Sequence, residues 1–198
     1  MTRVRSPGYP HVSLRHAIDG VSKVFDKERQ NIVSREAVAR DMEYSGLNGA
    51  ADKAISTLMH YGLLEKEGKG EVRVSQTTVD ILHPESEKQR KSALIRAAFS
   101  PKLFSTLKER FRDDVFSEEN LRSFLIREHF AERAIGPIVK AYSDTCAYLK
   151  QENACESGGL NSANGSDSHN EASNDNVVFG GARVGDLVQW EAEGVLKL

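Results

Sequence analysis

The sequence predicts a mainly α-helical chain with a small β-ribbon in its N-terminal part, and three observations support this fold class. An apolar stripe at helical spacing runs through residues 47–58, as one buried side of a helix requires. Two short strand-like runs flank the glycine-rich segment 67–70, a pattern typical of a tight hairpin. Between residues 86 and 151 apolar residues recur every three or four positions, which predicts a second group of helices.

The first helix is expected between Ser13 and about Arg29, followed by a very short strand at residues 31–33. A shorter helix is predicted to run from Ser34 to Met42. Ser34 suits its N-cap, because a serine hydroxyl accepts a hydrogen bond from an amide of the first turn that has no partner within the helix.

The next helix is predicted to begin after Ser45, its expected N-cap, and to end at Gly62, since glycine tolerates the left-handed conformation just past a helix end. Its predicted stripe consists of Leu47, Ala50, Ala51, Ala54, Ile55 and Leu58. In the hairpin that follows, Gly68 and Gly70 are expected to supply the positive φ angles of the turn. Two short helices joined by a turn form a helix-turn-helix, and the hairpin behind them makes this a winged helix.

The residues that carry this pattern support a resemblance. Residues 13–82 resemble the winged helix-turn-helix family, and the run Tyr-Gly-Leu-Leu-Glu at residues 61–65 is similar to the passage from recognition helix to wing in that family. The chain is also similar to a group of uncharacterised bacterial and phage proteins that contain this module. Most members of the family bind DNA, so the resemblance implies a DNA-binding function.

Residues 13–83 are therefore predicted to form a winged helix-turn-helix domain, and residues 84–151 a helical domain. Helices of the second domain are expected to start at Ser86, Pro101 and Ser117. In the last helix, Gly136 and Pro137 are expected to break the start, with the main part beginning at Pro137, because proline lacks an amide donor. A degenerate second helix-turn-helix and a homodimerisation unit at residues 86–151 explain the pattern equally well.

The two ends of the chain differ in composition from the predicted domains. Residues 1–12 read as a flexible arm, which is either a frayed terminus or a minor-groove contact through Arg3 and Arg5. Residues 152–176 have almost no apolar side chains and are predicted to be a disordered linker. Residues 177–198 read as a short β segment, which either docks on the helical body or begins a β-barrel that the chain does not complete. The second alternative is favoured.

The formal charge of −2 is unevenly distributed. Residues 1–83 carry a net charge of +1, residues 84–153 carry +2 and residues 154–198 carry −5. A weakly basic body binds DNA only where basic side chains cluster, since phosphate contacts supply much of the affinity. No run has the length of a membrane-spanning helix and the start has no apolar signal core, so a cytoplasmic protein without a membrane partner is expected.

Motifs for catalysis are lacking in the sequence. It has no Walker loop, no GxSxG, no HExxH and no metal-ligand spacing. The six histidines are scattered, and Cys146 and Cys155 lie nine positions apart without a CxxC motif, which suggests reduced thiols. We therefore expect no enzyme activity, no catalytic residue, no metal and no cofactor.

The expected DNA interface combines the outer side of the second helix of the motif with the hairpin. The candidate DNA-binding residues are Arg35, Arg40, Ser45, Asn48, Gly49, Lys53, Ser56, Lys66, Lys69 and Arg73. Basic and hydroxyl side chains suit phosphates, and Lys69 lies at the predicted hairpin tip. Asp52 shares the outer side of the helix and would repel phosphates.

Two functions follow from these residues. The first is a regulator of transcription that binds double-stranded DNA through the helix-turn-helix and a lysine-tipped wing. The alternative is an adaptor that binds another protein and retains the winged-helix fold without nucleic-acid binding. Asp52 and the near-neutral charge favour the alternative, whereas the family resemblance favours DNA.

Overall fold

The computed structural model of this chain describes residues 8–111 and 117–154, and these ranges contain eight α-helices and one three-stranded sheet. The elements up to the hairpin are α1 (Leu14–Glu28), β1 (Val33–Ser34), α2 (Arg35–Asp41), α3 (Gly49–His60), β2 (Leu64–Lys66) and β3 (Glu71–Val74). They are followed by α4 (Gln76–Leu82), α5 (Glu87–Ala98), α6 (Lys102–Arg110), α7 (Glu118–Arg127) and α8 (Glu132–Gln151). The prediction of a mainly helical fold with a small β-sheet is confirmed.

The sheet is antiparallel, with β3 between β1 and β2. In the hairpin Glu65 lies opposite Arg73, and at the other edge Val33 lies opposite Val72. Gly70 has a φ of 83°, as predicted for the turn. The expectation of a positive φ at Gly68 is wrong, because Gly70 alone among the glycines of this turn has one.

Helix α3 begins later than its sequence pattern suggests. Its N-cap is Asn48, whose side chain accepts hydrogen bonds from the backbone N–H groups of Ala50 and Ala51, each at 3.0 Å. The prediction that Ser45 caps this helix is therefore wrong. Leu47 precedes the helix and is 40 % exposed, so it does not extend the buried stripe. Asparagine and serine are both strong N-caps, and here the asparagine nearer to the buried stripe is the residue that is used.

The end of α3 follows the prediction. Gly62 has a φ of 66°, and its N–H donates to the carbonyl of Met59 while the N–H of Leu63 donates to that of Leu58. These two bonds form a Schellman motif, which satisfies carbonyl groups that the helix itself leaves without a donor. The motif turns the chain directly into β2.

One hydrophobic core connects the two predicted domains. Helix α8 packs against both α1 and α5, and fully buried side chains occur from Leu14 in α1 to Ile138 in α8. All described residues belong to one compact unit. Part of the apolar side of α8 is covered by α1. There are therefore no separate cores for residues 13–83 and 84–151 within the described part of the chain.

Two predicted features near the C-terminal end of this unit need correction. Helix α8 continues through Pro137, although a break was expected there. The proline is flanked on one side of the helix by the buried residues Ala134, Ile135 and Ile138, so core packing offsets the lost backbone hydrogen bond.

The predicted linker begins with ordered residues, since Ala154 is buried and its N–H donates to the carbonyl of Leu149.

The rest of the linker, the β segment 177–198, residues 1–7 and Cys155 lie outside the described residues. The sequence-based expectations for these parts stay predictions.

A set of buried hydrogen bonds around the Thr145 hydroxyl joins α8 to the start of α1 and to Tyr61, the residue that follows α3. The Thr145 hydroxyl donates to the Ala141 carbonyl at 2.7 Å and accepts from the backbone N–H of Leu14 at 3.0 Å. The Tyr61 hydroxyl lies 3.2 Å from it and donates to the Val12 carbonyl at 2.9 Å. Burial raises the pKa of Tyr61, so this hydroxyl remains a donor at every ordinary pH.

We expect Thr145→Val to lower the free energy of unfolding by about 1–3 kcal/mol, because the buried Leu14 N–H loses its acceptor. Thr106→Val is the matched control, since Thr106 makes the same bond to a helix carbonyl at an exposed position. Urea denaturation measures both variants. Equal midpoints for the two would contradict a stabilising role of the Thr145 group.

Candidate functional site

The first turn of α3 is open to solvent. Gly49, Asp52 and Lys53 are exposed, and Ser56 is half-buried. Asn48 is exposed as well, but its side-chain oxygen caps the helix, so only its amide N–H groups remain to contact a ligand. The structure thus brings four of the predicted residues together on one side of α3: Asn48, Gly49, Lys53 and Ser56.

Arg35 connects this turn of α3 to the hairpin. Its backbone N–H donates to the carbonyl of Gly70 at 3.0 Å, and its Nη2 donates to Oδ1 of Asp52 at 2.6 Å. The hairpin turn and the first turn of α3 are therefore separated by about one arginine side chain.

Arg35 itself is not a freely available phosphate ligand. Its side chain is 25 % exposed, against 59 % for that of Asp52, and its Nε is buried without an acceptor. The role of Arg35 as a direct phosphate contact stays a prediction, and the carboxylate of Asp52 already engages the Nη2 group of its guanidinium.

The hairpin carries charges of both signs. Arg73 lies 2.7 Å from the carboxylate of Glu67 and 3.2 Å from that of Glu65, so this predicted phosphate contact is also engaged within the chain. Lys66 and Lys69 are exposed, and within the described part of the chain no carboxylate forms an ion pair with either. The two lysines are therefore the basic side chains that the hairpin offers to a partner.

The two remaining predicted residues belong to the region between α2 and α3. Arg40 is exposed in the last turn of α2, and no ion pair to it occurs among the described residues. Ser45 is exposed between the two helices and does not cap α3. Both can reach a partner that also contacts α3, but neither position is fixed by a side-chain hydrogen bond in the described residues.

Sequence reasoning missed the strap, residues 8–12, which was assigned to a flexible arm. The strap lies on α3: the N–H of His11 donates to Oγ1 of Thr57 at 3.1 Å. The ring of Tyr9 lies 4.8 Å from that of His11 and 6.2 Å from that of Phe130, measured between centroids. Gly8 lies against His60, since a Cβ at Gly8 would come within 2.6 Å of the imidazole Cε1.

The strap places His11 close to two other basic groups. Burial lowers the pKa of His11, and the nearby Lys53 and His60 lower it further. Burial also lowers the pKa of His60. Both imidazoles are therefore mainly neutral near pH 7 and become charged only in more acidic solution. The buried Pro10 and half-buried Tyr9 beside them are the apolar residues that could have indicated a packed segment.

The described residues contain neither a group that could hold a metal ion nor a helix that could span a membrane. No group of three or more histidine, cysteine or carboxylate side chains is arranged to hold a metal ion in residues 8–111 and 117–154. None of the helices in these ranges combines the length and the apolar character needed to cross a membrane.

Comparisons with protein-family models, curated proteins and solved structures gave no match to this chain.

Proposed function

We propose that this chain is a winged-helix protein that binds double-stranded DNA and regulates transcription, with α3 in the major groove and the β2–β3 hairpin as the wing. The observation that most supports the proposal is the link through Arg35. Because Arg35 contacts both Gly70 and Asp52, the exposed turn of α3 and the hairpin can face one duplex together.

The order of the elements supports the same proposal. Helices α1, α2 and α3 precede the hairpin, and β1 joins it to form a three-stranded sheet. A helix-turn-helix followed by a hairpin is the arrangement expected of a winged helix. The resemblance of residues 13–82 to the winged helix-turn-helix family agrees with this order, and it is the ground for choosing DNA as the partner.

The charges near the proposed interface limit how strongly it can bind. Residues 33–75 contain six basic and seven acidic side chains. The exposed basic residues without an ion pair in the described part of this region are Arg40, Lys53, Lys66 and Lys69. If all of these contact phosphates, the logarithm of the binding constant falls with the logarithm of salt concentration at a slope of about −3.6. This is a weak, strongly salt-dependent interaction.

We expect the double variant Lys66→Gln/Lys69→Gln to reduce that slope to about −1.8, because two phosphate contacts are removed. Fluorescence anisotropy of a labelled duplex at several salt concentrations measures the slope. Lys88→Gln/Lys102→Gln is the control, since it removes the same charge from exposed positions of α5 and α6. A wild-type protein that binds no duplex even at low salt would rule out the proposal.

The ion pairs favour a second candidate function, the protein-binding adaptor. Asp52 neutralises Arg35, and Glu65 and Glu67 neutralise Arg73, so the surface alternates in sign instead of forming a positive stripe. Such a surface suits a protein with complementary charges. In that case a partner co-purifies with the chain and is lost on charge reversal at Asp52, while duplex binding is absent. Homodimerisation through residues 86–151 stays a prediction, and Ile126 on α7 is the most exposed large apolar side chain among the described residues of that range.

A further inference from the structure

The strap creates a cluster of basic groups on α3 that is separate from the Arg35–Asp52 pair. His11 lies on the strap, and Lys53 and His60 lie on α3; these three residues are called the His11 cluster. His11 is fixed through its backbone bond to Thr57, and His60 is covered on one side by Gly8. The packing of the strap on α3 therefore places the backbone of His11 beside this side of α3.

In the described part of the chain, the charged groups that act on His11 are basic. The groups that act on it electrostatically are Lys53 and His60, while the ring of Tyr9 and the hydroxyl of Thr57 are its neutral neighbours. The nearest acidic residue along α3, Asp52, is held by Arg35. With both imidazoles protonated, Lys53 and the histidines present up to three positive charges, and among the described residues no carboxylate acts on His11.

We propose that the His11 cluster binds a phosphate group and that binding takes up protons on the histidines. A phosphate oxygen accepts hydrogen bonds from the ammonium of Lys53 and from an imidazolium, and its negative charge stabilises the protonated histidines. The phosphate is a backbone phosphate of duplex DNA if the proposed function holds, and in this form the inference rests on that function. A free phosphate offers the same chemistry.

Proton uptake has a measurable consequence. Each histidine that is neutral in the unbound protein and charged in the complex increases the binding constant by up to about tenfold per pH unit of acidification. The increase is confined to pH values above the pKa of that histidine in the unbound protein and below its pKa in the complex. This pH dependence is separate from any salt dependence that lysine contacts produce. The salt dependence from lysines does not vary with pH in this range.

The experiment uses the whole chain with two probes at constant ionic strength: sulfate, whose charge is fixed between pH 5.5 and 7.5 and which replaces free phosphate, and a duplex of about 16 base pairs, roughly the length that covers one and a half turns of B-DNA. Imidazole NMR signals report the pKa of each histidine with and without the probe. We expect both probes to raise the pKa of His11 and His60 and to bind more tightly at pH 5.5.

Matched variants assign the effect. His11→Gln keeps the backbone bond to Thr57, and the variant should take up about one proton fewer on binding. His16→Gln should leave the proton uptake unchanged, because His16 lies on α1 and its imidazole contacts Ser13. Lys53→Gln should weaken binding of both probes several-fold at every pH.

The possible outcomes separate the two proposals. If sulfate raises the histidine pKa values but the duplex does not bind, the cluster is a site for a small phosphate and DNA binding fails. If the duplex binds while the pKa values of His11 and His60 stay constant, DNA binding stands and the cluster is overturned. Absence of binding by both probes overturns both.

Discussion

We expect Asp52→Ala to bind duplex DNA about tenfold more tightly than the wild-type chain at a salt concentration of about 0.1 M. The substitution removes a carboxylate from the exposed side of α3 and releases the guanidinium of Arg35, which Asp52 holds at 2.6 Å. A tenfold change corresponds to about 1.4 kcal/mol, which is close to the lower end of what one hydrogen bond to a charged group contributes, about 1.5–3 kcal/mol. Anisotropy of a labelled duplex measures the change.

Two further variants separate this mechanism from a general effect of charge. Asp52→Asn should have an intermediate affinity, because its amide oxygen still accepts from Arg35. Asp144→Ala removes the same charge and breaks an exposed ion pair with Lys140 on α8, so it should change the affinity little. An equal gain in Asp144→Ala would assign the effect to net charge, and a weaker affinity in Asp52→Ala would contradict the role given to Arg35.

The sequence predicted the features that depend on neighbouring residues. Ser34, Ser86 and Ser117 were expected at helix starts, and in each case the side chain accepts a hydrogen bond from a first-turn amide. Gly62 was expected at a helix end and has a positive φ. These features are local, because the donor and acceptor lie within a few positions of each other. The same local reasoning was wrong where two neighbouring residues compete, since Asn48 and not Ser45 caps α3, and Gly70 and not Gly68 has the positive φ.

The other features that the sequence did not predict depend on contacts between distant parts of the chain. Arg35 and Asp52 are 17 positions apart, and His11 and Thr57 are 46 apart. Nothing in the spacing of these residues indicates that they meet. The spacing of the candidate residues therefore could not show which of their basic side chains are already paired.

For the same physical reason the sequence could not show that residues 13–83 and 84–151 share one hydrophobic core. An amphipathic pattern shows that a side of a helix is buried, but it does not show which element buries it. The apolar residues of α8 read as the core of a second domain, yet α8 also packs on α1. Phe104 on α6 is at the junction: its ring lies 6.0 Å from that of Tyr61, which follows α3, and 5.1 Å from that of Tyr142 in α8.

We therefore expect Phe104→Ala to lower the free energy of unfolding by about 3–5 kcal/mol, the usual cost of removing a fully buried phenylalanine. Phe104 has no exposed surface, so the variant loses apolar burial and leaves a cavity between α3, α6 and α8. Unfolding should remain a single transition in urea, followed by circular dichroism and by hydrogen exchange. Ile126→Ala, at a position that is 61 % exposed, should cost far less.

Hydrogen exchange resolved along the chain distinguishes one core from two. In one cooperative unit, the amides of α2 and α3 lose protection in Phe104→Ala together with those of α6 and α8, because all of them exchange through the same unfolding event. If the amides of α2 and α3 kept their wild-type protection while those of α6 and α8 lost theirs, the two halves would unfold independently. If α3 and α8 share one core, the binding surface on α3 is sensitive to any change that loosens the packing of α8.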